Sequence, residues 1–172
     1  MESAPSVGRR HQFFGWTQSL LQALIPHQVM VCGAYQRHRR GVAFEVHHTL
    51  PLSAGTLQAL CDAEGTLVRS VMAAWVAGRG RPLALPLSLL GEAAAALQTE
   101  LNLGELLVHG VSRPQRPTEI ETLFMFASPA SSLPKTPLLG TLDLLLPQLH
   151  RTWLRGVSTE LDLLRPAAPV TA

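Results

Sequence analysis

The residue type best suited to chemistry in this chain is histidine, which occurs seven times. His47 and His48 are neighbours in a stretch with the period of a strand, so their side chains point to opposite faces and do not share a metal ion. His27 and His109 stand at the ends of predicted strands, where a structural hydrogen bond is commoner than ligand binding or pH sensing. We therefore predict no metal site.

Other patterns that carry catalytic chemistry are missing from the sequence. Its acidic residues are scattered and form no close pair for general acid–base work, and there is no phosphate-binding Gly-rich loop and no nucleophile elbow. The basic residues of 37–40, and Arg79 with Arg81, fall in turns, where solvated side chains are expected and phosphate contact is the alternative. We predict that the chain is not an enzyme and uses no cofactor. An enzyme would need a polar cleft with convergent titratable groups.

Length and composition indicate one domain with its own core. The chain has 172 residues, of which 47% are hydrophobic and 15% charged, with a net charge of +2. Cys32 and Cys61 are too few for a disulfide framework, which fits a reducing compartment. Residues 1–10 lack the apolar core of a secretory signal, and Asp143 interrupts the apolar stretch 138–149. We expect a cytoplasmic protein with no membrane partner.

Apolar periodicity places the elements that must position any site. Spacings of three and four residues predict helices at 13–25, 66–77, 90–101 and 137–164. Strands are predicted at 28–37, 42–49, 105–113 and 119–128, and they pair as two hairpins. In the first helix the apolar stripe is Phe13, Trp16, Leu20 and Leu24, widened by Leu21 and Ile25. The stretch 81–87 contains too many prolines for a regular central element.

This order of elements favours an α+β, GAF/PAS-like fold. One antiparallel sheet would carry the terminal helices on one face and the central helices on the other. The domain would span 11–164, after a disordered N-terminus at 1–10 and before a linker-like tail at 165–172. The long last helix is the candidate dimer surface.

A sensory domain of this plan needs a mainly apolar cavity between the sheet and the central helices. The candidate ligand-binding residues are Trp75, Tyr35, Met72, Phe44, Phe124 and Phe126. For each of them ordinary core packing is the alternative. Trp75 is the first to test, because a buried indole N–H needs an acceptor, such as a ligand carbonyl or a backbone oxygen.

Several segments carry a family resemblance. The run 13–27 has aromatic residues, then a helix, then an Ile-Pro-His turn, and it resembles the opening of EpsA-type regulators associated with exosortase and exopolysaccharide loci. His109-Gly110, the strand at 122–126 and the stretch 146–151 are similar to the same family in order and spacing. The resemblance implies the N-terminal sensory domain of a LuxR-type transcriptional regulator. In such proteins DNA is contacted by a helix-turn-helix, for which this chain has no segment after Leu164.

We therefore expect a regulatory domain that senses a ligand, dimerises, or does both, in a LuxR-type regulator of exopolysaccharide biosynthesis. Its expected partners are a second copy, bound through the last helix, and a small apolar ligand. The alternative is a protein-interaction module that binds no ligand because side chains close its cavity. A packed interior with no cavity beside Trp75 would favour that alternative.

Overall fold

The computed structural model describes residues 13, 15, 16, 19, 21–129 and 136–164. The strands within these residues are β1 Val29–Gln36, β2 Gly41–His48, β3 Leu83–Pro86, β4 Leu103–Arg113 and β5 Arg116–Pro129. The helices are α1 Gln22–Leu24, α2 Ala54–Cys61, α3 Thr66–Ala77, α4 Glu92–Leu101 and α5 Thr136–Leu164, with a 3-10 turn at Leu87–Leu89. The predicted disordered N-terminus, 1–10, and the predicted linker-like tail, 165–172, lie outside the described residues.

The described strands form one antiparallel sheet in the order β2-β1-β5-β4-β3. Both predicted hairpins are confirmed, since β1 pairs with β2 and β4 pairs with β5. Strand β1 lies between β2 and β5, and its first six residues are buried. That burial explains its apolar side chains at consecutive positions, because both faces of the strand are covered.

Helices cover the two faces of the sheet. We call the side that carries Met30, Cys32, Phe124 and Phe126 the terminal face, because the N-terminal helical residues and α5 pack on it. We call the other side, which carries Val31, Val108, Leu123 and Met125, the central face, because α2, α3 and α4 pack there. The fold is thus α+β with the predicted division of helices, and it is consistent with a GAF/PAS-like fold.

The N-terminal helical segment departs from regular α geometry. Phe13 and Trp16 are buried as predicted, but Leu24 is 40% exposed, and the buried residues that follow are Leu21 and Ile25. Position 21 has π-helical geometry. Leu21 and Ile25 were predicted to widen the apolar stripe and are buried, so among the described positions of the stripe Leu24 is the one that departs from the prediction. Leu20 lies outside the described residues.

Two short elements were not expected from the sequence. Strand β3 lies in the proline-containing stretch 81–87, which was predicted to form no regular central element, and it is an edge strand of the sheet. Proline is tolerated there because an edge strand needs backbone hydrogen bonds on one side only. Helix α2 begins after Ser53, whose side chain accepts a hydrogen bond from the Thr56 N–H.

The long last helix is confirmed. Helix α5 has 29 residues and runs through Pro147. Its buried stripe on the terminal face is Leu142, Leu145, Leu146, Leu149, Trp153 and Val157. Leu144 points the other way and is 84% exposed.

Candidate functional site

The six predicted ligand-binding residues do not share one cavity. Tyr35, Phe44 and Met72 come together in an open groove on the central face of the sheet. Trp75 is buried behind that groove, in the core between the sheet and the central helices. Phe124 and Phe126 are fully buried on the terminal face, among the residues that pack against α5. The groove is therefore the place where a ligand could meet three of the six.

The groove has a volume of about 1030 Å³ and is bounded by four segments of the chain. Its floor is the end of the sheet at β1 and β2, and α3 forms one wall through Met72 and Val76. The β1–β2 turn and the α2–α3 turn form two rims, and residues 118–120 of β5 close the remaining side. This volume is at the upper limit of small-molecule sites.

Gly33 leaves space for the Phe44 ring in the floor of the groove. A Cβ atom at Gly33 would lie 2.5 Å from Cε1 of Phe44 and 2.9 Å from Cγ1 of Val42. Gly33 and Phe44 are direct partners across the β1–β2 hairpin. The Phe44 ring consequently lies over the backbone of residue 33, and it would have to move if that residue had a side chain.

An ion-pair network holds the aromatic ring at the other end of the floor. The Arg113 guanidinium lies over the Tyr35 ring, with its central carbon 3.9 Å from the ring centroid. Arg113 is in turn 3.5 Å from a carboxylate oxygen of Glu119 and 3.5 Å from one of Glu121. Arg116 also pairs with Glu119, at 3.1 Å. Tyr35 is thus fixed by charged groups of the β4–β5 hairpin.

The rims of the groove carry charges of both signs. Arg39 and Arg40 lie on the β1–β2 turn, and Asp62 and Glu64 lie on the α2–α3 turn. The Asp62 carboxylate accepts a hydrogen bond from the Glu64 N–H at 3.0 Å, which orders that turn. An apolar floor between polar rims suits a molecule with an apolar body and a polar end.

Cys61 also lines the groove, and its thiol is free. Burial raises the pKa of the Cys61 thiol, and the nearby Glu45 carboxylate raises it further. A neutral thiol is a poor nucleophile. The neutral form of Cys61 is therefore favoured, and the side chain adds apolar surface to the groove.

The core behind the groove is packed. A gap beneath α2 and α4, lined by residues such as Leu60, Leu97 and Met125, cannot hold a water molecule. Trp75 is 1% exposed and lines neither this gap nor the groove. A Cβ atom at Gly80 would lie 3.4 Å from the Trp75 ring, so the chain closes tightly over the indole.

The partner of the Trp75 indole is a histidine. Trp75 Nε1 donates a hydrogen bond to His109 Nδ1 at 3.4 Å. The opposite ring nitrogen, His109 Nε2, lies 2.8 Å from Asp143 Oδ1 of helix α5. His109 is only 3% exposed, whereas Asp143 is 62% exposed. Burial lowers the pKa of His109, and the hydrogen bond and charge of Asp143 oppose that effect.

Four other histidines make contacts within the fold. His27 Nδ1 donates to the backbone oxygen of Ile25 at 2.6 Å. His150 Nδ1 lies 2.7 Å from the Thr122 hydroxyl, which ties α5 to β5. The ring of His47 packs among aromatic residues, whereas Nδ1 of His48 reaches the backbone oxygen of Leu50. Among the described residues, no group of three or more His, Cys, Asp or Glu side chains could hold a metal ion.

Sequence reasoning singled out Trp75 and His109 separately but did not connect them, and it missed Asp143 and Arg113. It also placed His109 at a strand end, which is wrong, because His109 lies inside β4. Asp143 had a signal, because it is the acidic residue within the otherwise apolar stretch 138–149. Each link of the Trp75–His109–Asp143 chain joins residues 34 positions apart. No local pattern reports contacts at that separation.

Comparison with known proteins finds no matching family model and no match among curated proteins. The class defined by fold and site is therefore an α+β domain with a five-stranded antiparallel sheet and an open groove on its central face. In the described part of the chain, no helix is both long enough and apolar enough to cross a membrane.

Proposed function

We propose that this chain is the non-catalytic regulatory domain of a LuxR-type transcriptional regulator of exopolysaccharide biosynthesis, and that it binds a small, mainly apolar ligand in the groove. The EpsA-like segments and the α+β plan support the regulatory class. The groove supports the ligand. In this proposal the domain is cytoplasmic and contacts DNA only through a separate helix-turn-helix.

The observation that carries the ligand proposal is the convergence of Tyr35, Phe44 and Met72 on one groove. These three side chains come from two strands and a helix and lie together between charged rims. Residues that serve only as core are normally covered on all sides. Here they line about 1030 Å³ of open space, which fits a binding surface.

A ligand screen tests this proposal. Native mass spectrometry and thermal shift with N-acyl homoserine lactones, fatty acids and cyclic nucleotides should find at least one class that binds. At 100 times its dissociation constant a ligand stabilises the fold by about 2.7 kcal/mol. If no class binds or shifts the unfolding temperature, ligand sensing is rejected.

A matched pair of variants locates the site. Ala73 is exposed and lines the groove, whereas Ala95 is exposed on α4 and does not line it. Ala73→Phe should fill the groove and weaken ligand binding by at least about tenfold, or about 1.4 kcal/mol. Ala95→Phe should leave binding unchanged. Equal effects of the two substitutions would place the ligand elsewhere.

The packed core favours a second candidate, a protein-interaction module that binds no ligand. The observation that supports this candidate is the environment of Trp75. Its indole is enclosed in the core and is already hydrogen-bonded to His109. Under this reading regulation acts through protein contacts alone. A negative ligand screen together with a stable homodimer would select it.

In both readings we propose a homodimer formed through α5. The supporting observation is Leu144, which is 84% exposed on that helix. A large apolar side chain in this position gains free energy when a partner covers it, by about 1.5–3 kcal/mol for full burial. The oligomeric state is the direct test.

A further inference from the structure

Trp75, His109 and Asp143 form a hydrogen-bonded chain that joins the two helical layers. Trp75 belongs to α3 on the central face, and Asp143 belongs to α5 on the terminal face. His109 lies between them in β4, one residue past Val108, where the pairing of β4 with β3 ends. The edge of the sheet is thus open at the point where the indole reaches the histidine ring.

The donors and acceptors fix the protonation state of the ring. An indole N–H can only donate, so Nδ1 of His109 must be unprotonated to accept from Trp75. The proton of the neutral ring then sits on Nε2 and is donated to the Asp143 carboxylate. A second proton on Nδ1 would face the indole N–H directly and remove that hydrogen bond.

We propose that His109 is a proton-controlled link between the groove helix α3 and helix α5. When neutral, it holds both Trp75 and Asp143. When protonated, it keeps Asp143 and releases Trp75. Because Trp75 lies one helical turn from Met72 and next to Val76 in α3, its release would alter the wall of the groove. The consequence for ligand binding rests on the proposed function, whereas the link itself does not.

The groups that face His109 are consistent with such a link. Asp143 approaches from α5, Trp75 from α3, and the uncharged Phe124 is the residue opposite on β5. Burial lowers the pKa of His109 below its ordinary value of 6.5, although Asp143 acts to raise it. At neutral pH, His109 is therefore neutral and bonded to both Trp75 and Asp143. Acidification protonates the ring and releases Trp75.

Nuclear magnetic resonance of the tryptophan indole groups tests the link without any ligand. The chain has three tryptophans, and the Trp75 signal is assigned by its loss in Trp75→Phe. On acidification the chemical shift of that signal should change with one inflection below pH 6.5. The pH of this inflection should equal the midpoint of the His109 ring titration, measured in the same wild-type sample. After division by the intrinsic exchange rate at the same pH, exchange of the indole hydrogen should become about five- to tenfold faster once the bond is lost.

Three variants separate this link from a general effect of pH. His109→Gln, whose amide can accept from Trp75 and donate to Asp143 without titrating, should abolish the inflection. Asp143→Asn should move it to lower pH, because the carboxylate no longer favours the charged ring. His150→Gln removes a histidine bonded to Thr122 and should leave the Trp75 signal as in the wild type.

The outcomes are distinct. A Trp75 signal that stays constant while His109 titrates in the folded wild-type protein would overturn the link, and so would an inflection that survives His109→Gln. The ε-methyl signal of Met72 should show the same inflection. If Trp75 titrates and Met72 does not, the regulatory consequence for the groove is rejected. A negative ligand screen with an intact titration rejects the ligand-binding part of the proposed function and leaves the link in place.

Discussion

Gly33 determines where the floor of the groove lies. Its missing side chain allows the Phe44 ring to lie over the backbone of β1. Phe44 is partly buried and packs against the core of the central face while it lines the groove. A side chain at residue 33 would therefore push the ring into the space proposed for the ligand.

We expect Gly33→Ala to destabilise the domain by about 1–3 kcal/mol, because an added methyl group in a filled space forces neighbours to shift. Urea unfolding measures this change. Gly55→Ala is the matched control, since nothing lies within 4 Å of a Cβ atom at that position in α2. It should be neutral or stabilise by about 0.5–1 kcal/mol. A Gly33→Ala protein as stable as the wild type would contradict the packing of Phe44.

From the sequence it could be predicted that a buried polar group needs a hydrogen-bond partner, but not which residue is that partner. The indole of Trp75 required an acceptor, and that requirement is met by His109 rather than by a backbone oxygen. The pairing depends on the register of β4 with β3 and β5 and on the position of α5. Those relations arise from the packing of distant segments, which one sequence does not report.

At the scale of elements, buried and half-buried histidines tie neighbouring segments together and make those contacts sensitive to acid. Burial lowers the pKa of His27, His109 and His150 below the ordinary value of 6.5. His27 contacts the ring of Phe126, and His150 is bonded to Thr122. All three histidines therefore favour the neutral form in the folded state.

We expect the free energy of unfolding to fall as the pH decreases from above 6.5. In that range the unfolded chain binds protons that the folded histidines, with their lowered pKa, do not yet bind. Urea unfolding between about pH 7.5 and about pH 5 measures the loss. His150→Gln should make the dependence shallower. A free energy of unfolding that rises on acidification over this window would contradict the burial of these rings.

Element prediction succeeded where periodicity was long and failed where it was short or irregular. The two hairpins and α5 have clear periods and were predicted. Strand β3 was hidden by its prolines, which an edge position tolerates. In the first helix the period of the apolar residues predicted Leu24 on the buried stripe, whereas it is 40% exposed.

At the scale of the whole molecule, α5 is the surface proposed for dimerisation. We expect light scattering at tens of micromolar to report a dimer. Leu144→Glu places a charge on the exposed side of α5 and should weaken the dimer by at least about tenfold, or about 1.4 kcal/mol.

Leu89→Glu is the control for this test. Leu89 is also exposed, at 75%, but it lies on the 3-10 turn between β3 and α4. This substitution should leave the dimer intact. A wild-type chain that is monomeric, or equal dissociation by both variants, would exclude α5 as the specific interface.

The layered architecture could be predicted from the sequence, because each element has one apolar face and must bury it. The groove could not be predicted, since four separate segments of the chain bound it. Tyr35, Phe44 and Met72 were named from their residue types. Their separation from Phe124 and Phe126 follows from strand pairing, which places the latter two on the opposite face.

The binding of a ligand in the groove is tested most directly by the methyl signals of the methionines. The chain has four methionines, of which Met72 lines the groove, Met30 is buried on the terminal face and Met125 is buried on the central face. With methionines carrying ¹³C-labelled methyl groups, the ligand with the largest thermal shift should move the Met72 signal and leave those of Met30 and Met125 in place. Binding that moves Met125 or Met30 while Met72 stays unchanged would contradict the account.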